Sequence, residues 1–255
     1  MSRVFTIARM TFVESVRDKI LYAIVAFALA MIGSSAILVT LSVGGEGRIV
    51  KDLGLSCITL FGLFITVFIG ASLVSREIDR RTIYPLLARP VSRGAFVVGK
   101  FFGLALTLAT NIVVMAGGLI ALSRTLEDSW TPGILLAVAF TFLEMLIVIS
   151  VAILFSTFST PLVSAIYTLL IFVVGRLSAD VLQFASQFGG RTLQAAATAL
   201  YFILPNLSRF NLISTVVDNR PLAASELLLT AAYGILYSAA VVGLAVAIFQ
   251  RRDFK

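Results

Sequence analysis

Chemistry needs particular residue types at particular spacings, and this chain offers few. The run Gly94-Ala-Phe-Val-Val-Gly99-Lys100-Phe101 satisfies the first seven positions of the phosphate-binding loop G-x-x-x-x-G-K-[ST]. Phe101 stands where a hydroxyl should ligand magnesium, no strand pattern precedes the run, and an apolar stretch of membrane-span length follows it. The run therefore reads as a basic anchor at the entry of a span. There is no histidine and a single cysteine, Cys57, inside an apolar run, so neither a disulfide framework nor a cysteine or histidine metal cluster can be built. A serine nucleophile has no evident base.

Two intramembrane polar features remain. Glu144 lies ten residues into the otherwise uncharged run Ile134–Phe155, near mid-span. A carboxylate there costs about 2.5 kcal/mol or more unless it is paired, protonated or faces a polar cavity, which makes it either a pathway residue or a structural one, a neutral Glu bonded to a neighbouring helix or a residue of a subunit interface. Arg176 and Asp180 stand four apart near the expected end of another span, where a local ion pair contributes about 0.3 kcal/mol. All three are candidate pathway residues.

A third feature is surface rather than site. Ser75–Lys100, SREIDRRTIYPLLARPVSRGAFVVGK, holds six basic residues (Arg76, Arg80, Arg81, Arg89, Arg93, Lys100) against two acidic ones, Glu77 and Asp79. Ile83, Leu86 and Leu87 recur at helical spacing behind the first basic turns, and Pro90 disfavours helix at the residue before it. The pattern predicts a cytoplasmic hairpin with a short amphipathic helix.

The elements that position these residues are membrane spans. Of 255 residues, 59% are apolar and only 13% charged, against roughly 25% charged in soluble domains. Uncharged or nearly uncharged runs at Ile20–Leu41, Leu53–Val74, Phe101–Ser123, Ile134–Phe155, Leu162–Gly175 and Ala224–Phe249 predict six transmembrane helices. The first, at about 1.5 Å per residue, covers ~33 Å, enough for a hydrocarbon core of about 30 Å. Residues 1–19 carry mixed charge with Val4, Ile7, Ala8, Thr11, Phe12 and Val16 at helical spacing, an interfacial helix rather than a cleavable signal. Residues 176–223 mix charge with short apolar stretches and predict outer-face helices. Gly54, Gly62 and Gly70, and the pair Gly99 and Gly103, mark places where a neighbouring helix could approach closely. With both termini inside, 13 of the 20 Lys and Arg residues fall on the cytoplasmic side and 7 outside. The net charge of +7 is thereby explained without nucleic acid.

Several of these blocks together resemble a family. The N-terminal R-x-x-x-x-x-A-R-x-T-F-x-E-x-x-R-D-K (Arg3 to Lys19), the block SREIDRRTIYPLLARPVSR, the STFSTP turn, LPNLSRFNL (Leu204 to Leu212) and the terminal RRDF (Arg251 to Phe254) are similar to permease subunits of type-2 ABC exporters. The likeness is greatest to those grouped with copper-enzyme maturation. Pro85 inside the hairpin helix and Arg81, where many members carry glycine, depart from that pattern.

The resemblance implies one permease domain over residues 1–255. It is all-α and integral to the membrane, with an N-terminal elbow helix (1–19), a cytoplasmic coupling helix (within 75–100) and outer helices before the last span (176–223). It implies a dimer, most simply of identical protomers, in the inner (plasma) membrane with both termini cytoplasmic. A separate ABC ATPase would hold ATP and magnesium, this chain having no cofactor and no catalytic role of its own. ATPase coupling would then fall to Arg76, Glu77, Asp79, Arg80, Arg81, Thr82, Arg89 and Arg93. A secondary transporter or channel without an ATPase is the alternative, although no inverted repeat is visible.

The topology is testable by membrane-impermeant thiol labelling of single cysteines placed at Arg89 and Asp128. They should label from opposite faces, and labelling of both from one face overturns the six-span order.

Overall fold

The computed structural model describes residues 3–40, 46–73, 92–126, 132–188, 190–218 and 223–251. Among these residues the regular structure is entirely helical: α1 (Arg3–Val16), α2 (Lys19–Thr40), α3 (Glu46–Leu73), α4 (Arg93–Leu126), α5 (Gly133–Ser156), α6 (Pro161–Phe188), α7 (Arg191–Ile203), α8 (Ile213–Val217) and α9 (Ala224–Arg251), with a 3-10 turn at Leu207–Phe210. Six of them, α2 to α6 and α9, are long and apolar enough to cross a membrane. Helices satisfy their own backbone hydrogen bonds, the requirement hydrocarbon imposes on any spanning segment. The chain is an all-α integral membrane protein.

Contacts between distant residues define the two ends of the bundle. At the end nearest α1, the Ser156 hydroxyl donates to the Ala71 carbonyl (3.0 Å), and the Arg93 guanidinium to the Gln250 carbonyl (3.0 Å). At the opposite, distal end Arg48 pairs with Asp218 and Gly133 lies against Val216. Burial then sorts the spans: 67% of the apolar stretch of both α3 and α5 is buried, against 22% for α2 and 28% for α6 and α9. α5 is apolar on every side, as a helix enclosed by its neighbours should be. α3 and α5 pack on each other, with α4, α6 and α9 around them and α2 against α3 and α4.

Glycines set the closest approaches. A Cβ on Gly99 would stand 2.7 Å from the Ile7 Cβ, and one on Gly103 would stand 2.7 Å from the Ala8 carbonyl oxygen and 2.5 Å from the Thr11 Cβ. This glycine pair is thus the groove into which α1 lays its buried face, Ile7, Thr11 and Ser15. The glycines of α3 serve two neighbours: Gly54 admits Leu119 of α4, while Gly62 and Gly70 face Met145 and Ala152 of α5. Positions eight apart drift by about 80° on a helix, so one stripe turns from one partner to the next.

The helix bounds differ from the apolar runs in three places. α3 begins at Glu46, so Arg48, Lys51 and Asp52 are helical; α4 begins at Arg93, inside the expected hairpin. α6 does not stop at Gly175 but continues to Phe188, carrying Arg176 and Asp180 within it. Hydropathy marks where a helix meets hydrocarbon, whereas helix ends are marked by caps. At α4 the Ser92 hydroxyl accepts from the Ala95 N–H (3.2 Å), an N-cap that starts the helix well before its apolar part. At α6 the charge that seemed to end the span has a partner on another helix.

Gly103→Val should lower stability by about 1–3 kcal/mol through forced separation of α1 from α4. Gly117→Ala, at a helical glycine with nothing within 4 Å, should leave stability unchanged or slightly raised. Thermal unfolding of the purified variants in detergent checks both, and equal behaviour of the two would remove the glycine groove as the seat of α1.

Candidate functional site

Of the eight residues expected to couple to an ATPase, Arg76, Glu77, Asp79, Arg80, Arg81, Thr82 and Arg89 lie outside the described residues. Arg93, the first residue of α4, donates to the carbonyls of Phe249 (3.5 Å) and Gln250 (3.0 Å) at the end of α9. A cation there meets the negative end of the α9 dipole and satisfies carbonyls that have no partner within the helix. The G-x-x-x-x-G-K run is helical throughout, so it forms no loop to cradle a phosphate. Lys100 is buried over the Phe96 ring (5.6 Å to the centroid), with Glu14 of α1 4.0 Å away.

Glu144 and Arg176 are brought together. Glu144 stands midway along α5 with its side chain 1% exposed, and Arg176 reaches it from α6, Nη1 lying 3.6 Å from Oε1. That separation is longer than a hydrogen bond, and Glu144 Oε1 accepts none. The attraction is therefore mainly Coulombic, in surroundings where few other charges compete. The guanidinium also covers the ring of Phe172, one helical turn back on α6, at 5.7 Å. Asp180, the partner that sequence spacing offered, is exposed on α6, and Arg176 turns to the other helix instead.

Arg176 keeps 23% of its side chain exposed because it lines a cleft of about 310 Å³. The polar lining is Asp52, Ser56 and Thr59 of α3, Arg176 of α6, and Asn211 and Ser214 at the start of α8. Leu60, Leu63 and Phe172 form its apolar wall. Along α3 these positions share one face, so polar and apolar side chains line the same cleft.

The segment between α7 and α8 holds the cleft's distal side in place. Gly175 allows the Pro205 carbonyl to approach so closely that a Cβ would stand 2.6 Å from it. Asn206 is tied from several directions: its N–H donates to the Tyr233 hydroxyl (3.0 Å), its amide to the Tyr201 hydroxyl (2.8 Å), and its Oδ1 accepts from Ser208 (2.6 Å). Phe210 is 1% exposed and lies on Gly234 of α9, 3.0 Å from where a Cβ would be. These contacts wedge residues 205–210 between α6 and α9 and so fix Asn211 and Ser214, a few residues on.

Sequence reasoning found Glu144 and Arg176 singly and missed the cleft residues Asp52, Ser56, Thr59, Asn211 and Ser214. The i, i+4, i+7 spacing of the first three was the available signal. It was obscured because α3 was expected to start only at Leu53. The family model described as ABC-2 family transporter protein matches residues 5–254. No curated protein matches the chain.

Arg176→Gln removes the counter-charge of a buried carboxylate and should destabilise by about 2–4 kcal/mol. Glu144→Gln combined with Arg176→Gln should be the milder change by about 1 kcal/mol or more, since neither charge is then left alone. A double-mutant cycle on thermal or denaturant unfolding reads the coupling; additive effects would show that the two groups do not act as a pair.

Proposed function

Because the chain belongs to the ABC-2 family of transporter proteins, we propose that this permease is half of an ATP-driven exporter and works as a homodimer with a separately encoded ABC ATPase. The observation that carries the reading is that the family match runs through all six spanning helices. On the SREIDRRTIYPLLARPVSR block and the terminal RRDF, we place it with the permeases grouped with copper-enzyme maturation.

In this reading the membrane is the plasma membrane, and the α1 end of the bundle is cytoplasmic, in line with the 13 to 7 division of basic residues. ATP and magnesium are held by the ATPase. α1 is the elbow helix. The segment 75–92 couples ATPase closure to the membrane through Arg76, Glu77, Asp79, Arg80, Arg81, Thr82 and Arg89. Arg93 transmits it, since its carbonyl contacts join the start of α4 to the end of α9. The export path opens between protomers along α2, α3 and α6. Those helices carry large apolar side chains that stay exposed in the protomer, among them Phe27, Leu60, Phe64, Phe68, Ile166 and Leu170. The Glu144–Arg176 pair stands behind that face, with Asp180 nearer its outer end.

The coupling role is tested by Glu77→Lys with Arg81→Glu, which preserves net charge and hence insertion but rearranges specific pairing. Recovery of the ATPase by pull-down should fall about tenfold for loss of a charge-assisted contact, and transport-stimulated ATP hydrolysis should fall with it. Wild-type values of both in a correctly inserted variant would assign coupling to another surface.

A further inference from the structure

The cleft beside Arg176 holds charge of both signs in one small volume. Asp52 is exposed, on the second turn of α3, and Arg176 lines the same cleft from α6 with 23% of its side chain exposed. Among the described residues the Arg176 guanidinium makes no hydrogen bond. Its contacts are the Glu144 carboxylate at 3.6 Å, behind it, and the Phe172 ring beneath. Its N–H groups toward the cleft are therefore open to an anion, and a planar fork of donors suits phosphate or carboxylate.

The neutral lining groups add partners of both kinds. Asn211 uses its Oδ1 to accept from the Ile213 N–H (3.4 Å), which leaves the amide donors for a ligand. The Thr59 hydroxyl donates to the Leu55 carbonyl (3.0 Å), so toward the cleft it offers lone pairs. Donors for an anion and acceptors for an ammonium thus face the same space. A volume of about 310 Å³ stands at the low end of small-molecule sites, large enough for a head group and its first methylenes and too small for a whole lipid. Leu60, Leu63 and Phe172 supply apolar surface for those methylenes.

We propose that the cleft between α3, α6 and α8 binds a zwitterionic head group, its phosphate or carboxylate on Arg176 and its ammonium toward Asp52. Placement of the cleft on the export path rests on the permease reading above. Binding is nevertheless measured without ATP or ATPase, so failure of the site and failure of that reading give different results. An anion alone would be repelled by Asp52 and by Glu144 behind the guanidinium. A cation alone would leave Arg176 facing it.

The test is native mass spectrometry of the purified full chain, titrated separately with phosphatidylethanolamine, phosphatidylglycerol and soluble phosphoethanolamine. Phosphatidylethanolamine should bind in preference to phosphatidylglycerol. Asp52→Asn, an exposed position, should weaken phosphatidylethanolamine about tenfold and leave phosphatidylglycerol unchanged or strengthened. Glu144→Gln with Arg176→Gln should weaken both lipids. Soluble phosphoethanolamine with the same dependence on Asp52 would show that the head group alone suffices, and binding of the lipid only would show that the acyl chain is also required; either supports the site. Equal retention of the two lipids, indifference to Asp52→Asn, or no retention overturns it.

Discussion

A carboxylate at the middle of one of the two most enclosed helices constrains much of this bundle. Hydrocarbon offers Glu144 neither water nor counter-ion, and a cation from another helix offsets that cost. Arg176 supplies it, and to do so α6 must remain helical past the point where its sequence turns polar. The same extension brings Gly175 against Pro205 and seats residues 205–210 between α6 and α9. One electrostatic requirement thereby shapes the outer half of the protein and leaves a polar cleft beside the pair.

Elsewhere packing does the work, because apolar helices in lipid gain little from touching one another unless they fit closely. Gly99 and Gly103 let α1 meet the backbone of α4, and Gly70 lets α3 meet Ala152 of α5. Hydroxyls then join neighbours to carbonyls: Ser156 to Ala71, Ser164 to Ala152. Arg93 closes the same end by holding the last carbonyls of α9. The α1 end is thus cross-tied among α1, α3, α4, α5, α6 and α9, whereas at the distal half a cleft lies between α3 and α6.

This contrast gives the proposed exporter its physical logic. In that proposal a contact made at the α1 end would be transmitted through helices that are joined there, while the groups proposed to meet a ligand lie farther along the same helices. Arg93 and Lys100 illustrate how differently similar residues are used. Both are basic and both lie in the early part of α4, yet one caps a neighbouring helix and the other lies buried over Phe96. Charge counting along the chain cannot separate those roles.

The number and order of spans, the composition that puts the chain in a membrane, and the oddity of Glu144 were all determined by sequence alone, since each follows from local runs of apolar residues. The bounds of α3, α4 and α6 were not. Hydropathy reports hydrocarbon contact, while a helix continues wherever caps and partners allow. Pairing was decided only by tertiary structure: Arg176 had Asp180 one turn away and turned instead to Glu144, thirty-two residues earlier in the chain. Asp52, Ser56, Asn211 and Ser214 come from segments far apart in sequence, and what places them around one space is the crossing of α3, α6 and α8. That crossing depends on glycines, a wedge and one buried charge pair acting together, and no window of sequence contains all three.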